Sequence, residues 1–259
     1  DALTTADILA VQSYVASPTG QTLTVTNTPA KGNFTATNFE SAKVAVNDDG
    51  LVLDITTCFA QILTDAQIVV GGDGTDDTLT GTSAVDLIFG QGGNDTIHGL
   101  EMGDCLFGGA GNDVINGNSG NDLISGGSGN DTLNGQSDND SIFGGLGDDS
   151  LIGDLGFDVL QGNAGNDTLD GGLHDDVMNG GAGNDTLLGG DGYDQFQVVG
   201  AEAEYDVMNG GNNTDTVVNI GGSAVTLNGF LSGSNSLEGW NGAGFAIQGN
   251  SLNNTFNFQ

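Results

Sequence analysis

The chain is predicted to fold as an all-β solenoid, and three features of its sequence predict it. Residues 72 to 197 divide into fourteen consecutive blocks of nine without insertion or deletion. Self-similarity at a fixed short period marks a stacked repeat architecture, in which each unit buries its apolar side only against its neighbours. Glycine supplies 47 of the 259 residues and proline only two, so one backbone geometry is used many times over. Every block also carries an apolar residue at its eighth position, from Leu79 and Ile88 through Met178 to Leu187 and Phe196. That column gives each repeat one core side chain.

The blocks GGAGNDVIN (108–116) and GGSGNDTLN (126–134) typify the array. The first position is glycine in all fourteen, and the sixth is always aspartate: Asp77, Asp86, Asp95, Asp104, Asp113, Asp122, Asp131, Asp140, Asp149, Asp158, Asp167, Asp176, Asp185 and Asp194. Consecutive glycines permit positive φ and let one loop lie close against the next, while Asn or Asp at position five tolerates a left-handed backbone. Position eight, in the middle of a short strand, points inward, and seven and nine point out.

This pattern resembles the GGxGxDxUx nonapeptide of the repeats-in-toxin (RTX) family, which binds calcium in a β-helix. Fourteen in-register copies do not arise from composition bias. The resemblance implies a parallel β-roll with calcium bound in the inter-coil loops, in which six residues form a turn, three form a strand and two blocks complete a coil. It implies calcium ligands at the fourteen aspartates, with Asp95 sharing an ion with Asp113 on one edge and Asp104 with Asp122 on the other. The loop glycines Gly93, Gly109, Gly111, Gly120, Gly127, Gly129 and Gly145 belong to the same expected sites. So do Gly147, Gly165, Gly181, Gly183, Gly190 and Gly192. Up to about twelve inter-loop sites follow, and their charge would offset most of the net charge.

The physics of the columns agrees. One core side chain per nine ordered residues is a thin core, and aspartates stacked about 5 Å apart repel one another. A hard cation ringed by carbonyls and two carboxylates relieves both, and Ca²⁺ takes six or more oxygens where Mg²⁺ prefers a tighter octahedron and its own water. The pattern departs at position four, where Thr75, Ala84, Met102, Asp138 and His174 replace glycine, so sites there are expected to be weaker. His174 and His98 are read as solvated side chains and not as zinc ligands.

Charge excludes several partners. Lys31 and Lys43 are the only basic residues, and the formal net charge is -33. Neither nucleic acid nor an anionic bilayer finds counter-charges here. No run of about 18 apolar residues is present, so no membrane span is expected. Cys58 and Cys105, the only cysteines, are too few for a disulfide framework. A chain that starts at Asp1 reads as a processed product or a fragment.

The segment 1–71 is expected to carry a short helix over Thr5 to Val15 and then strands at 23–27, 42–46, 51–55 and 67–71, leading into the solenoid and capping it. Beyond the regular array of 72–197, the segment 198–259 holds a degraded block at 201–209, a further copy, GGNNTDTVV, at 210–218, and a third at 249–257 with Asn254 in place of aspartate. It is read as an irregular continuation with short strands at 223–227 and 245–247.

Because two blocks make a coil, odd and even blocks lie on opposite sheets. Outward positions of the odd sheet are mostly polar, among them Thr96, Thr132 and Thr168. Those of the even sheet are largely apolar, with Leu87, Phe89, Cys105, Phe107, Leu123, Phe143, Val159 and Val177 interrupted by Ser125, Ser141, Gln161 and Asn179. A face of this kind is covered either by the same chain or by a protein partner, including another copy, through Phe89, Phe107 and Phe143.

RTX arrays, as the resemblance implies, occur in type I secreted proteins that fold in extracellular calcium. Two readings follow: a structural, assembly or adhesion protein of the S-layer or matrix type, or the non-catalytic calcium module of a larger secreted enzyme or toxin. No HExxH or GxSxG motif is present, so no enzyme is expected in these residues.

Overall fold

The computed structural model describes residues 43–46, 51–54, 67–71, 74–199 and 206–220, together with the short strands at 226–227, 229–230, 239–241 and 248–249. The expected helix over Thr5 to Val15 and the strands at 23–27 and 245–247 lie outside the described residues. Two parallel sheets, one of ten strands and one of nine, face each other along the whole array. Successive strands alternate between them, and each pairs with the strand 18 residues away, as Leu133 with Leu151 and Ile142 with Leu160. Two nonapeptides therefore make one coil of a parallel β-roll.

The eighth-position column forms the core. Ile88, Leu106, Ile124, Ile142, Leu160, Met178 and Phe196 stack on one sheet, and Ile97, Ile115, Leu133, Leu151, Leu169 and Leu187 on the other, all effectively shut from solvent. The two files meet in the middle, so the core is one side chain deep from each sheet. Met208 and Val217 continue it past the three-residue insertion. The register there widens from 18 to 21, with Thr186 opposite Val207 and Thr216 opposite Gln195. At the other end Gln67–Val70 pairs with the strand beginning at Asp86 and forms the edge of the ten-stranded sheet. Lys43–Val46 and Leu51–Asp54 form a separate antiparallel pair.

The strands are longer than the resemblance implies. They run six residues, from position seven through position three of the next block, as in Thr132–Ser137. The ladder pairs Thr132, Leu133 and Asn134, skips Gly135, and resumes at Gln136 and Ser137. The first-position glycine is a break within a strand, not the start of a turn. Left-handed backbone falls at positions two and four, as at Gly109, Gly111, Gln136 and Asp138, and not at position five as expected. The fifth-position side chain instead links coils: Asn94 Oδ1 accepts the Asn112 amide at 2.8 Å and Asn112 Oδ1 the Asn130 amide at 2.8 Å.

The outer face of the even sheet divides in two. Leu87, Phe89, Cys105 and Phe107 are buried within the chain itself although they point away from the core, and the rings of Phe89 and Phe107 stack at 5.0 Å. These two phenylalanines are therefore not free to meet a separate partner. Phe143 is only half-buried and Val159 is 41% exposed. Cys105 is disulfide-bonded, a pairing that the sequence alone leaves open; the chain's only other cysteine, Cys58, lies outside the described residues.

Candidate metal sites in the loops

The turns at positions four to six connect the two sheets, so odd-block turns line one edge of the roll and even-block turns the other. All fourteen expected aspartates fall in these turns, seven on each edge. From Asp95 to Asp194 each carboxylate divides its oxygens between two tasks. Oδ1 accepts the backbone amide of the aspartate one coil back: Asp113 from Asp95 at 2.7 Å, Asp131 from Asp113 at 2.8 Å, Asp122 from Asp104 at 2.7 Å and Asp140 from Asp122 at 2.8 Å. This bond sets the pairs Asp95 with Asp113 and Asp104 with Asp122 next to one another. It also orders the turn, because the amide has no strand partner there.

Oδ2 is left over. In Asp95, Asp104, Asp113, Asp122, Asp131 and Asp140 it is buried and has no hydrogen-bond partner, and the same holds from Asp149, Asp158 and Asp167 through Asp176, Asp185 and Asp194. Twelve buried carboxylate oxygens without a donor would be a severe cost unless something positive meets them. Asp86 differs, since its Oδ2 accepts the Thr82 amide and hydroxyl. Asp77, whose Oδ2 accepts the Thr75 hydroxyl, is only half-buried.

The first-position glycine leaves the room that this oxygen uses. A Cβ built on Gly108 would fall closer than 3.0 Å to Asp113 Oδ2 and 2.6 Å from the Gly126 carbonyl oxygen, and a Cβ on Gly126 would meet Asp131 Oδ2 and Gly144 O in the same way. The expected loop glycines add backbone oxygens at their own positions. A Cβ at Gly129 would strike Gly111 O, one at Gly127 would strike Gly109 O, and the same holds for Gly147 and Gly145 against the coil before. Among the described residues no three His, Cys, Asp or Glu side chains gather into a metal site. A cation here must therefore draw on carbonyls as well as on two carboxylates.

Burial pushes these carboxyls upward. Asp104, Asp140 and Asp176 are raised to about 8, and Asp122, Asp131, Asp149 and Asp167 to about 7, in each case chiefly by desolvation and then by neighbouring aspartates. The three highest belong to the even-edge turns in which Met102, Asp138 and His174 stand at position four. Those side chains keep the left-handed backbone of the glycines they replace, with φ of 73°, 77° and 86°. Asp206 and Asp215 were not among the expected ligands, yet each extends a file: Asp206 Oδ1 accepts the Asp185 amide at 3.0 Å and Asp215 Oδ1 the Asp194 amide at 2.9 Å. Both are sixth-position aspartates of blocks displaced by the insertion, so the same column identifies them once three residues are discounted.

An oxygen-only donor set, hard and anionic, repeated along both edges of a parallel roll, is that of a calcium-binding β-roll. Residues 71–101, 103–133, 125–160, 152–187 and 161–196 match the RTX calcium-binding nonapeptide repeat. The array from 71 to 196 belongs to that family, and its repeats are calcium-binding. No match was found among curated proteins. Bound Ca²⁺ would supply the positive charge that the stacked carboxylates lack. The chain's own part is to hold the aspartates in register through Oδ1, to keep water from Oδ2, and to turn loop carbonyls toward the next coil.

Proposed function

We propose that this chain is a secreted or cell-surface structural protein whose calcium-loaded roll is itself the working part, in assembly or adhesion of the S-layer or matrix type, and that it is not an enzyme. The observation that carries this reading is the double file of twelve buried Oδ2 atoms without donors. They make the fold conditional on a cation, and millimolar extracellular calcium saturates weak sites that cytosolic calcium leaves empty. A disulfide at Cys105 suits an oxidising compartment. Partner contact falls on the part of the even sheet beyond the covered Phe89 and Phe107, from Phe143 onward. The ligands are the sixth-position aspartates with the loop carbonyls, at about twelve inter-loop sites.

The test is calcium titration of the stripped chain, with far-ultraviolet circular dichroism for folding and native mass spectrometry for the number of ions. Folding that saturates with about ten or more ions at millimolar calcium supports the reading. Full strand content in excess chelator at neutral pH would overturn it.

A further inference from the structure

We infer that the even edge of the roll, around Phe157 and Tyr193, is a docking surface for a basic segment of another protein. The repeat provides its own control. On the odd edge the fifth position is Asn or Asp in every block, and its side chain carries the amide ladder from coil to coil. On the even edge the ladder runs from Asn121 to Asn139 to the Phe157 amide and breaks there, because phenylalanine has no oxygen to pass on; it resumes one coil later, where Asp175 Oδ1 accepts the Tyr193 amide at 2.9 Å. The chain gives up a hydrogen bond at that position and places there a ring that is 54% exposed. Two coils on, Tyr193 stands in the same column, 65% exposed, about 10 Å away at the coil spacing of a parallel sheet. Leu155 and Leu173, register partners in the third column, are 45% and 43% exposed. The His174 ring packs against Phe157 at 5.4 Å between centroids.

These side chains make an apolar patch that the exposed Asp175 divides between Phe157 and Tyr193, and carboxylates rim it; further along the same edge Leu100 and Met102 are exposed as well. Asp154 precedes Leu155, Asp191 is the register partner of Leu173, and both are exposed. A groove of about 710 Å³ opens on the outer face of the even sheet, with Val177 and Val159, the latter two residues beyond Phe157, in its wall. The charge pattern selects the occupant. Even with about 24 positive charges from bound calcium set against the formal -33 the chain stays net negative, so a second copy is repelled, as are nucleic acid and an anionic bilayer. A segment carrying Lys or Arg between aliphatic residues meets the carboxylates with its cations, the rings through cation–π contact, and the groove with its apolar side chains. This inference rests on the folded, calcium-loaded roll but not on whether that roll serves adhesion or a larger enzyme.

The test uses a synthetic twelve-residue peptide alternating Lys and Leu, titrated calorimetrically into the calcium-loaded protein. The double variant Phe157→Asn and Tyr193→Asn restores the repeat's usual residue at both positions. It should bind at least tenfold more weakly, whereas Thr132→Asn with Thr168→Asn on the odd sheet should bind as the parent does. On the unaltered protein, peptide should shift the Leu155 and Leu173 methyl resonances before others. Equal affinity of parent and double variant, or shifts centred elsewhere, would overturn the inference. It would be overturned equally by a neutral cello-oligosaccharide binding the patch in preference to the peptide, or by self-association that the double variant abolishes.

Discussion

Acid should fold the calcium-free array. Burial holds Asp104, Asp140 and Asp176 at about 8, and Asp122, Asp131, Asp149, Asp167 and Asp206 at about 7. In the unfolded chain an aspartate ionises near 3.9. Between those values the folded state binds more protons than the unfolded one. Its stability is therefore fully present below about pH 4 and is lost as pH rises through 6 to 8. At pH 6 the eight carboxyls are mostly protonated when folded and ionised when unfolded, so folding should take up about seven protons. A linkage of that size makes the transition steep in pH. Protein stripped of calcium by gel filtration, followed by circular dichroism from pH 8 to pH 4, should gain strand signal on acidification, with proton uptake measured potentiometrically in a parallel pH jump. A signal that stays flat or falls as the solution is acidified, or uptake of fewer than about two protons, would refute the reasoning.

Three further outcomes are expected. Leu133→Ala, at a site with no exposed surface, should cost about 2–5 kcal/mol in urea unfolding at saturating calcium, because the single-file core has no second layer to collapse into the cavity. Asp131→Asn keeps an oxygen to accept the Asp113 amide but removes the charge, so native mass spectrometry should count one or two fewer ions while strand content at millimolar calcium is kept. Asp138→Gly relieves a left-handed aspartate and removes a charge that raises Asp140 and Asp122. It should stabilise the calcium-free fold by about 1 kcal/mol near pH 7, read from the shift in its pH midpoint.

The period, the inward column and the aspartate column were legible because each repeats without a slip and each has one physical meaning. What was not legible depends on contacts between coils. Nothing within a nonapeptide says that the ladder resumes at Gln136 after skipping Gly135, so the sequence predicts a strand of three residues where six form. Asparagine tolerates a left-handed backbone, yet Asn112 and Asn130 were retained at position five for an amide one coil away. Asp206 and Asp215 stand at the sixth position of the blocks at 201–209 and 210–218, but only the amide bonds from Asp185 and Asp194 show that these blocks continue the two files across the three-residue insertion. The burial of Phe89 and Phe107 on the outer side of their sheet and the disulfide at Cys105 are likewise properties that no periodicity records.

The invariance of the first-position glycine ranks these constraints. Position two has positive φ in every block from Gln91 to Gly190, and yet Gln91, Leu100, Asn118, Gln136, Asp154 and Asn163 all occupy it. The chain therefore tolerates a left-handed L-residue there, at a cost of about 1–2 kcal/mol each. From Gly90 to Gly189 the first-position glycines do not have positive φ, and not one of them is replaced. Backbone freedom cannot be the reason. What a side chain would do at Gly108 or Gly126 is collide with the Oδ2 of Asp113 or Asp131 and with the carbonyl of the next coil. Glycine at position one and aspartate at position six are thus two halves of one requirement, open space beside a buried carboxylate oxygen. Backbone strain is accepted wherever it leaves that space alone. A roll held together only by its ladders and its thin core would have no need of the opening, so the opening belongs to the ion.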